Sequence, residues 1–123
     1  MDYGILIVSH VPDIAKGVAQ LVEQVAQDTS VTFAGGTDNG VIGTNLQKIS
    51  DAIDANEAKE ILAFYDLGSS KMNIELAAEL TNKKIHVYDV ALVEGTYVAA
   101  SLIPTGSSLN EIEKQLKLLE IKK

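Results

Sequence analysis

The chain has 123 residues, the size of one domain with a core of its own. It contains no cysteine, which excludes disulfides and thiol chemistry, and its formal net charge of −7 disfavours nucleic-acid binding. No apolar run approaches the roughly 20 residues of a membrane span, and the N-terminal MDYG lacks the basic region of a secretory signal. We therefore expect one cytoplasmic domain, residues 1–123, without membrane or nucleic-acid partners.

Short apolar segments alternate with amphipathic segments along the chain. The apolar segments predict strands at 4–9, 31–34, 60–65 and 84–90, and such continuous runs are typical of parallel strands buried on both faces. The stripe of the first predicted helix is Ile14, Val18, Leu21, Val22 and Val25, and that of the second is Ile42, Leu46, Ile49 and Ile53. Three further helices are predicted at about 71–80, at about 91–102, where Gly95 weakens the pattern, and at 108–121.

This alternation predicts an α/β fold with a doubly wound, mainly parallel sheet and helices on both faces. Right-handed crossovers restrict the topology, and we predict the common strand order 2-1-3-4. In that order the winding reverses between strands 1 and 3. Ligands of such sheets bind at the carboxyl ends of the strands at this reversal.

Polar side chains stand at the carboxyl ends of both strands. Ser9 and His10 end strand 1, and Asp66 follows strand 3. A nucleophilic imidazole needs one ring nitrogen free and the other held as N–H by an acceptor, and a carboxylate provides this. Because strands 1 and 3 are predicted neighbours, we expect His10 to be a catalytic nucleophile and Asp66 to orient its ring.

Two Gly-rich turns flank this pair, one after strand 2 and one before helix 3. Backbone N–H groups in such turns and at helix N-termini bind anions without a cation. Positioning and charge stabilisation are what phosphoryl transfer to a histidine requires. The residues predicted to bind a phosphoryl group or its carrier are Ser9, Gly35, Gly36, Thr37, Gly68, Ser69 and Ser70.

Each of these features also fits a structural role. His10 can be a hydrogen-bonded loop residue, Asp66 can cap a helix or turn, and the two glycines after strand 2 can form only a tight turn. Residues 37–40 offer one Asp and one Asn but no wider ligand set, so no metal site is predicted. His86, inside strand 4, is interpreted as structural. The sequence has neither a nucleotide-binding P-loop nor an esterase nucleophile elbow.

A resemblance to a known family is carried by four stretches: VSH, GGTDNGVIGTN, YDLGSSKMN and VEGTYVAA. Together they resemble the phosphotransferase subunits (DhaM) of phosphoenolpyruvate-dependent dihydroxyacetone kinases, which have the mannose-type EIIA fold. The resemblance covers at least residues 4–100. It implies that His10 receives a phosphoryl group from the phosphocarrier HPr and that Asp66 is its partner acid. It also implies transfer to ADP on a second subunit, DhaL, and phosphorylation of dihydroxyacetone on DhaK by the resulting ATP.

The resemblance further implies that this chain carries no cofactor or metal, since Mg²⁺ would accompany ADP or ATP on the partner subunit. It also implies a homodimer. A surplus of apolar positions in the C-terminal part agrees with such an interface. These positions are Val90, Leu92, Val93, Val98, Leu102 and Ile103.

Three other functions stay open at this point. The first is the EIIA component of a mannose-family sugar transporter, with an EIIB domain as acceptor, although the long GGTDNGVIGTN loop and the short DLGSS turn favour the kinase subunit. The second is a response-regulator receiver phosphorylated on Asp66. A receiver needs an acidic pair after strand 1, however, and Ser9 and His10 stand there. The third is a binding domain without chemistry.

Overall fold

A computed structural model describes residues 2–123 as one sheet covered by helices. The strands are β1 (Tyr3–Ser9), β2 (Val31–Gly35), β3 (Glu60–Tyr65) and β4 (Lys84–Tyr88). The helices are α1 (Pro12–Glu23), α2 (Leu46–Ala55), α3 (Gly68–Glu79), α4 (Leu92–Leu102) and α5 (Leu109–Lys117), and a short 3-10 helix, Ile103–Thr105, follows α4. Within residues 2–123, no helix combines the length and apolarity needed to cross a membrane.

The sheet has the predicted strand order, β2-β1-β3-β4, and all its strand pairs are parallel. In register, Ser9 lies opposite Gly35 and Val8 opposite Tyr65. The carboxyl ends of the three strands therefore coincide at one edge. The winding reverses between β1 and β3, so the residues that follow these strands meet there.

Two apolar layers cover the faces of the sheet. The pleat of β1 sends Ile5 and Ile7 into the layer beneath α1, α4 and α5, and it sends Leu6 and Val8 into the layer beneath α2 and α3. All four side chains are fully buried. A strand buried on both faces must be apolar throughout, which explains the continuous run in the sequence.

The buried stripe of α1 differs from the prediction. Ile14 and Leu21, expected inside, are 45% and 44% exposed. The helix buries alanines in their place, because small side chains let its backbone lie close to the sheet. The pattern of large apolar residues overlooked them. The buried residues of α1 are Ala15, Val18, Ala19 and Val22.

Helix α2 begins four residues later than its predicted stripe. Ile42 lies in the preceding loop and is 74% exposed. The backbone at Gly43 has φ +147°, which is not helical. The side chain of Asn45 then accepts a hydrogen bond from the backbone N–H of Lys48, and this cap sets the helix start.

Three other boundaries also differ. Helix α3 begins at Gly68 rather than at 71, since Gly and Ser are compatible with a first helical turn. Strand β4 ends at Tyr88 rather than at 90, because Val90 forms an isolated antiparallel bridge with Glu120. Helix α5 ends at Lys117, and a turn at residues 118–119 leads into the bridge at Glu120.

Gly95 lies buried inside α4. A Cβ atom there would lie 2.3 Å from Cγ2 of Val90 and 3.7 Å from Cδ1 of Phe64. The glycine that weakens the helical pattern thus permits close packing of α4 on the sheet.

We expect Gly95→Ala to lower the free energy of unfolding by about 1–3 kcal/mol, because the added methyl overpacks this contact. Gly17→Ala is the matched control, since Gly17 is an exposed helical glycine with nothing within 4 Å of the added atom. It should raise the free energy of unfolding by about 0.5–1 kcal/mol. Urea unfolding measures both, and stabilisation by Gly95→Ala would contradict the packing argument.

Candidate active site

His10 directly follows β1, at the edge where the sheet changes its direction of winding. Its side chain is only 16% exposed. Its backbone carbonyl accepts a hydrogen bond from the N–H of Gly43 at 2.9 Å. The loop between β2 and α2 therefore holds the backbone of His10 from one side.

Asp66 holds the imidazole of His10, as the sequence predicts. Nδ1 lies 2.9 Å from Oδ1 of Asp66, and the backbone N–H of His10 donates to Oδ2 at 2.9 Å. An ionised carboxylate only accepts hydrogen bonds, so Nδ1 carries the proton and Nε2 keeps its lone pair. The carboxylate thus fixes the tautomer of the His10 ring, which leaves Nε2 as its nucleophilic nitrogen.

The Asp66 carboxylate accepts further hydrogen bonds from both sides of the site. Ser9 Oγ donates to it at 2.8 Å, the N–H of Leu67 at 2.7 Å and Ser70 Oγ at 3.3 Å. Burial raises the pKa of Asp66, but hydrogen bonds from the backbone and ring of His10, from Ser9 and from Leu67 outweigh it and lower the pKa to about 2. The carboxyl group is therefore ionised at neutral pH.

Ser9 supports the orienting carboxylate. Its side chain is fully buried beneath Asp66. It donates to that carboxylate and accepts a hydrogen bond from the N–H of Val11 at 3.1 Å. Contact of Ser9 with a phosphoryl group or its carrier stays a prediction.

The first turn of α3 brings two serines to the imidazole. Ser69 is exposed, and its Oγ lies 2.6 Å from Nε2 of His10, where the hydroxyl donates to the free lone pair. Ser70 is fully buried, with its Oγ 3.1 Å from Nδ1. The first N–H groups of a helix have no acceptor within the helix, so Gly68 and Ser69 also offer backbone donors at the start of α3.

The Gly-rich turn after β2 packs beside the site without bonding the ring. A Cβ atom on Gly35 would lie 2.8 Å from Cα of Pro12, and one on Gly36, which has φ +72°, would lie 2.8 Å from Cγ of the same proline. The N–H and hydroxyl of Thr37 both donate to the carbonyl of Val41. Within residues 2–123, the ring of His10 hydrogen-bonds Asp66, Ser69 and Ser70. Contact of Gly35, Gly36 and Thr37 with a phosphoryl group or its carrier stays a prediction.

Several supporting residues are missed by the sequence patterns. Asn73 on α3 donates from Nδ2 to Oγ1 of Thr44 at 2.8 Å, and Lys48 on α2 donates from Nζ to the carbonyl of Thr37 at 2.9 Å. These bonds fix the β2–α2 loop to the helices on both sides. The asparagine that ends SSKMN is the available signal, but spacing along the sequence does not reveal its partner in the β2–α2 loop.

His86 lies away from this site, inside β4. Its Nε2 is 2.7 Å from Oε2 of Glu60 and its ring stacks near Tyr88. Across residues 2–123 the structure holds no group of three or more His, Cys, Asp or Glu side chains placed to bind a metal ion.

Residues 4–113 match the family model EIIA-man, described as the PTS system fructose IIA component. The chain belongs to the EIIA-man family. Its sheet order agrees with the fold that the sequence resemblance implied.

Two curated relatives are similar over nearly their whole length. One, from Lactococcus lactis subsp. lactis (strain IL1403), is the phosphotransferase subunit DhaM of a PTS-dependent dihydroxyacetone kinase. It is 44% identical over 123 residues, with 100% of each chain covered. The other, from Listeria innocua serovar 6a, is the phosphoryl donor subunit DhaM of PEP-dependent dihydroxyacetone kinase 1. It is 43% identical, over 98% of this chain and 97% of the relative.

Solved structures agree with this fold. The crystal structure of EF1359, a protein described as of unknown function, has a TM-score of 0.84 at 31% identity and covers 99% of this chain and 98% of its own. A sigma-54 interaction domain protein from Enterococcus faecalis has a TM-score of 0.70 at 16% identity, with 95% and 89% covered, and shows the fold alone.

The low pKa of Asp66 makes a prediction about acid stability. Because the pKa is about 2 in the folded state and 3.8 ordinarily, the unfolded state binds more protons between these values, and stability falls as the pH falls through them. The full shift corresponds to about 2 kcal/mol, which partial exposure reduces to about 1 kcal/mol. The Asp66→Asn variant has no carboxyl group at this position, so its stability lacks this pH dependence.

Denaturant unfolding of wild type and Asp66→Asn between about pH 5 and about pH 2 measures the effect. The difference in free energy of unfolding between wild type and Asp66→Asn should become smaller as the pH falls. A difference that stays constant would show that the hydrogen bonds to Asp66 do not favour its charged form.

Proposed function

We propose that this chain is the phosphoryl donor subunit of a phosphoenolpyruvate-dependent dihydroxyacetone kinase and carries the phosphoryl group on His10. Membership of the EIIA-man family supports phosphoryl transfer, and the names of the full-length relatives support the kinase over a sugar transporter. The observation that carries the chemistry is the ring of His10, held by Asp66 at Nδ1 and open at Nε2 except for a serine hydroxyl.

In this proposal Nε2 attacks the phosphorus of a phosphorylated donor histidine. The N–P bond to Nε2 forms as the N–P bond of the donor breaks, and the proton on Nδ1 stays in its bond with Asp66. The carboxylate stabilises the positive charge that develops on the ring. Ser69 turns its O–H from Nε2 to a phosphoryl oxygen, beside the backbone N–H groups at the start of α3.

HPr is the proposed donor, and ADP on DhaL is the proposed acceptor, with DhaK binding dihydroxyacetone and Mg²⁺ held by the nucleotide on the partner. HPr and DhaL must both reach Nε2 of His10, so they bind in turn.

Exposed apolar side chains lie close in sequence to the site residues, and they support docking of protein surfaces there. They are Val41, Ile42, Leu67 and Met72. The cytoplasmic location expected from the sequence stays a prediction.

We expect His10→Ala to abolish phosphorylation when the protein is incubated with phosphoenolpyruvate, enzyme I and HPr. His86→Ala is the control, since it removes the other histidine from a strand away from the site and should leave phosphorylation intact. Intact-protein mass measures the phosphoryl group, and adding DhaL with ADP should remove it. Phosphate retained by His10→Ala would contradict the assignment.

The stability of the adduct separates the remaining functions. Phosphohistidine is lost in acid, whereas the aspartyl phosphate of a receiver is lost in base or hydroxylamine. Release of the phosphoryl group to an EIIB domain, but not to DhaL with ADP, would identify a transporter component. Absence of any phosphorylation would favour a binding domain.

We also propose that the chain forms a homodimer. Two of the six apolar positions that the sequence offered for this interface are corrected, because Val90 and Ile103 lie in the core at 2% and 3% exposure. Of the other four positions, Leu92, Val98 and Leu102 pack partly against that core. The remaining apolar surface on α1 and α4 supports an interface. It consists of Ile14, Leu21, Val93 and Tyr97, each more than 40% exposed.

We expect light scattering to give twice the mass of the chain at micromolar concentration. Tyr97→Lys places a charge on this surface and should shift the protein towards monomer. Gln20→Lys, an exposed substitution on α1 outside this set, is the control. A monomer at every concentration would refute the homodimer.

A further inference from the structure

The segment 119–123 runs back along the carboxyl end of β4 towards the active site. The N–H of Ala91 donates to the carbonyl of Leu119 at 3.1 Å, and the N–H of Ile121 donates to the carbonyl of Asp89 at 3.0 Å. Val90 and Glu120 form an antiparallel bridge between these bonds. The segment is thus attached by backbone pairing, and it delivers Lys123 to the end of β3.

Lys123 contacts Tyr65, directly before Asp66, and Gly68, two residues after it. Its Nζ donates to the backbone carbonyl of Tyr65 at 2.5 Å and lies 4.0 Å from the centre of the Tyr65 ring. Its own backbone carbonyl lies beside Gly68, where an added Cβ would be 3.1 Å away. One lysine therefore touches the residue before Asp66 and the first residue of α3.

The peptide unit between Tyr65 and Asp66 is held at both of its polar groups. Nζ of Lys123 donates to the carbonyl oxygen of Tyr65, and the N–H of Asp66 donates to the carbonyl of Val8 at 3.2 Å. The side chain of Tyr65 is fixed separately, since its hydroxyl donates to Asp89, which also pairs with Nζ of Lys71 at 3.0 Å. Rotation of this peptide unit would move the Asp66 carboxylate away from His10.

We propose that Lys123 is a positioning residue for the phosphoryl relay and that it acts by fixing the peptide unit which carries Asp66. The role rests on the proposed function of His10. It differs from that of Ser9 and Ser70, which bond the carboxylate itself, because Lys123 restrains the backbone beneath it. The restraint comes from a part of the chain more than fifty residues away in sequence.

The test compares Lys123→Met with Lys122→Met, which removes the neighbouring exposed charge, and with Lys123→Arg, which keeps a cationic donor. For Lys123→Met we expect the rate of phosphoryl transfer to fall about tenfold, with KM for HPr unchanged, as for a displaced orienting group. Lys122→Met should match wild type, and Lys123→Arg should restore most of the rate. A KM effect alone, or an equal loss in Lys122→Met, would overturn the proposal.

Nitrogen NMR of the imidazole rings supplies a readout that does not depend on any partner. In wild type His10 should show a protonated Nδ1 and an unprotonated Nε2. Lys123→Met should move both shifts towards their mean, because the tautomer is no longer fixed. The signals of His86 should not move. An unchanged His10 spectrum overturns the positioning role, whereas a failure of phosphorylation in wild type counts only against the proposed function.

Ile121→Pro releases the same segment without altering Lys123, since it removes the N–H that bonds Asp89. It should reproduce the NMR change and the slower transfer of Lys123→Met. Normal behaviour of this variant would overturn the claim that segment 119–123 delivers the lysine.

Discussion

The hydrogen bonds to the Asp66 carboxylate tie together two parts of the chain that are far apart in sequence. Ser9 and His10 reach it from the end of β1, and Leu67 and Ser70 reach it from the start of α3. They converge only because β1 and β3 are adjacent and in register. The burial of β1 between two apolar layers is therefore what allows a carboxylate and an imidazole to share one crevice.

The surroundings of this pair are built from close backbone contacts. Gly35 and Gly36 leave room for Pro12, which starts α1 beside His10. The N–H of Gly43 bonds the carbonyl of His10, so the β2–α2 loop is coupled to the same residue from the other side. A larger side chain at Gly35, the last residue of β2, or at Gly36 would displace the beginning of α1, and with it the backbone of His10.

Much of the fold could be predicted from the sequence, because apolar runs and helical periodicity report burial directly. The order of the strands, the two-sided cover of helices and the meeting of His10 with Asp66 all followed from it. The face of α1 did not, since alanines bury as well as large residues where a helix lies close to a sheet. The start of α2 depended on a cap at Asn45 rather than on the apolar Ile42.

The supporting contacts of the site lay beyond sequence reasoning for a different reason. Whether Ser9 faces a ligand or a carboxylate depends on which way one side chain turns, and no spacing rule decides that. The bond between Lys123 and the carbonyl of Tyr65 joins residues 58 positions apart. Such contacts are fixed by the path of the chain in three dimensions, so they become visible only once that path is known.

The serine hydroxyl on Nε2 bears on how the proposed relay would release its phosphoryl group. The hydrogen-bonding partners of the His10 ring within residues 2–123 include no lysine or arginine. A phosphoryl group is negatively charged, so a hydrogen bond to it from the Ser69 hydroxyl would contribute about 1.5–3 kcal/mol. A lysine or arginine in the same place would add the attraction of a full positive charge. Without that attraction the proposed phosphohistidine would lie in a shallower energy well, which favours passing the group on to an acceptor.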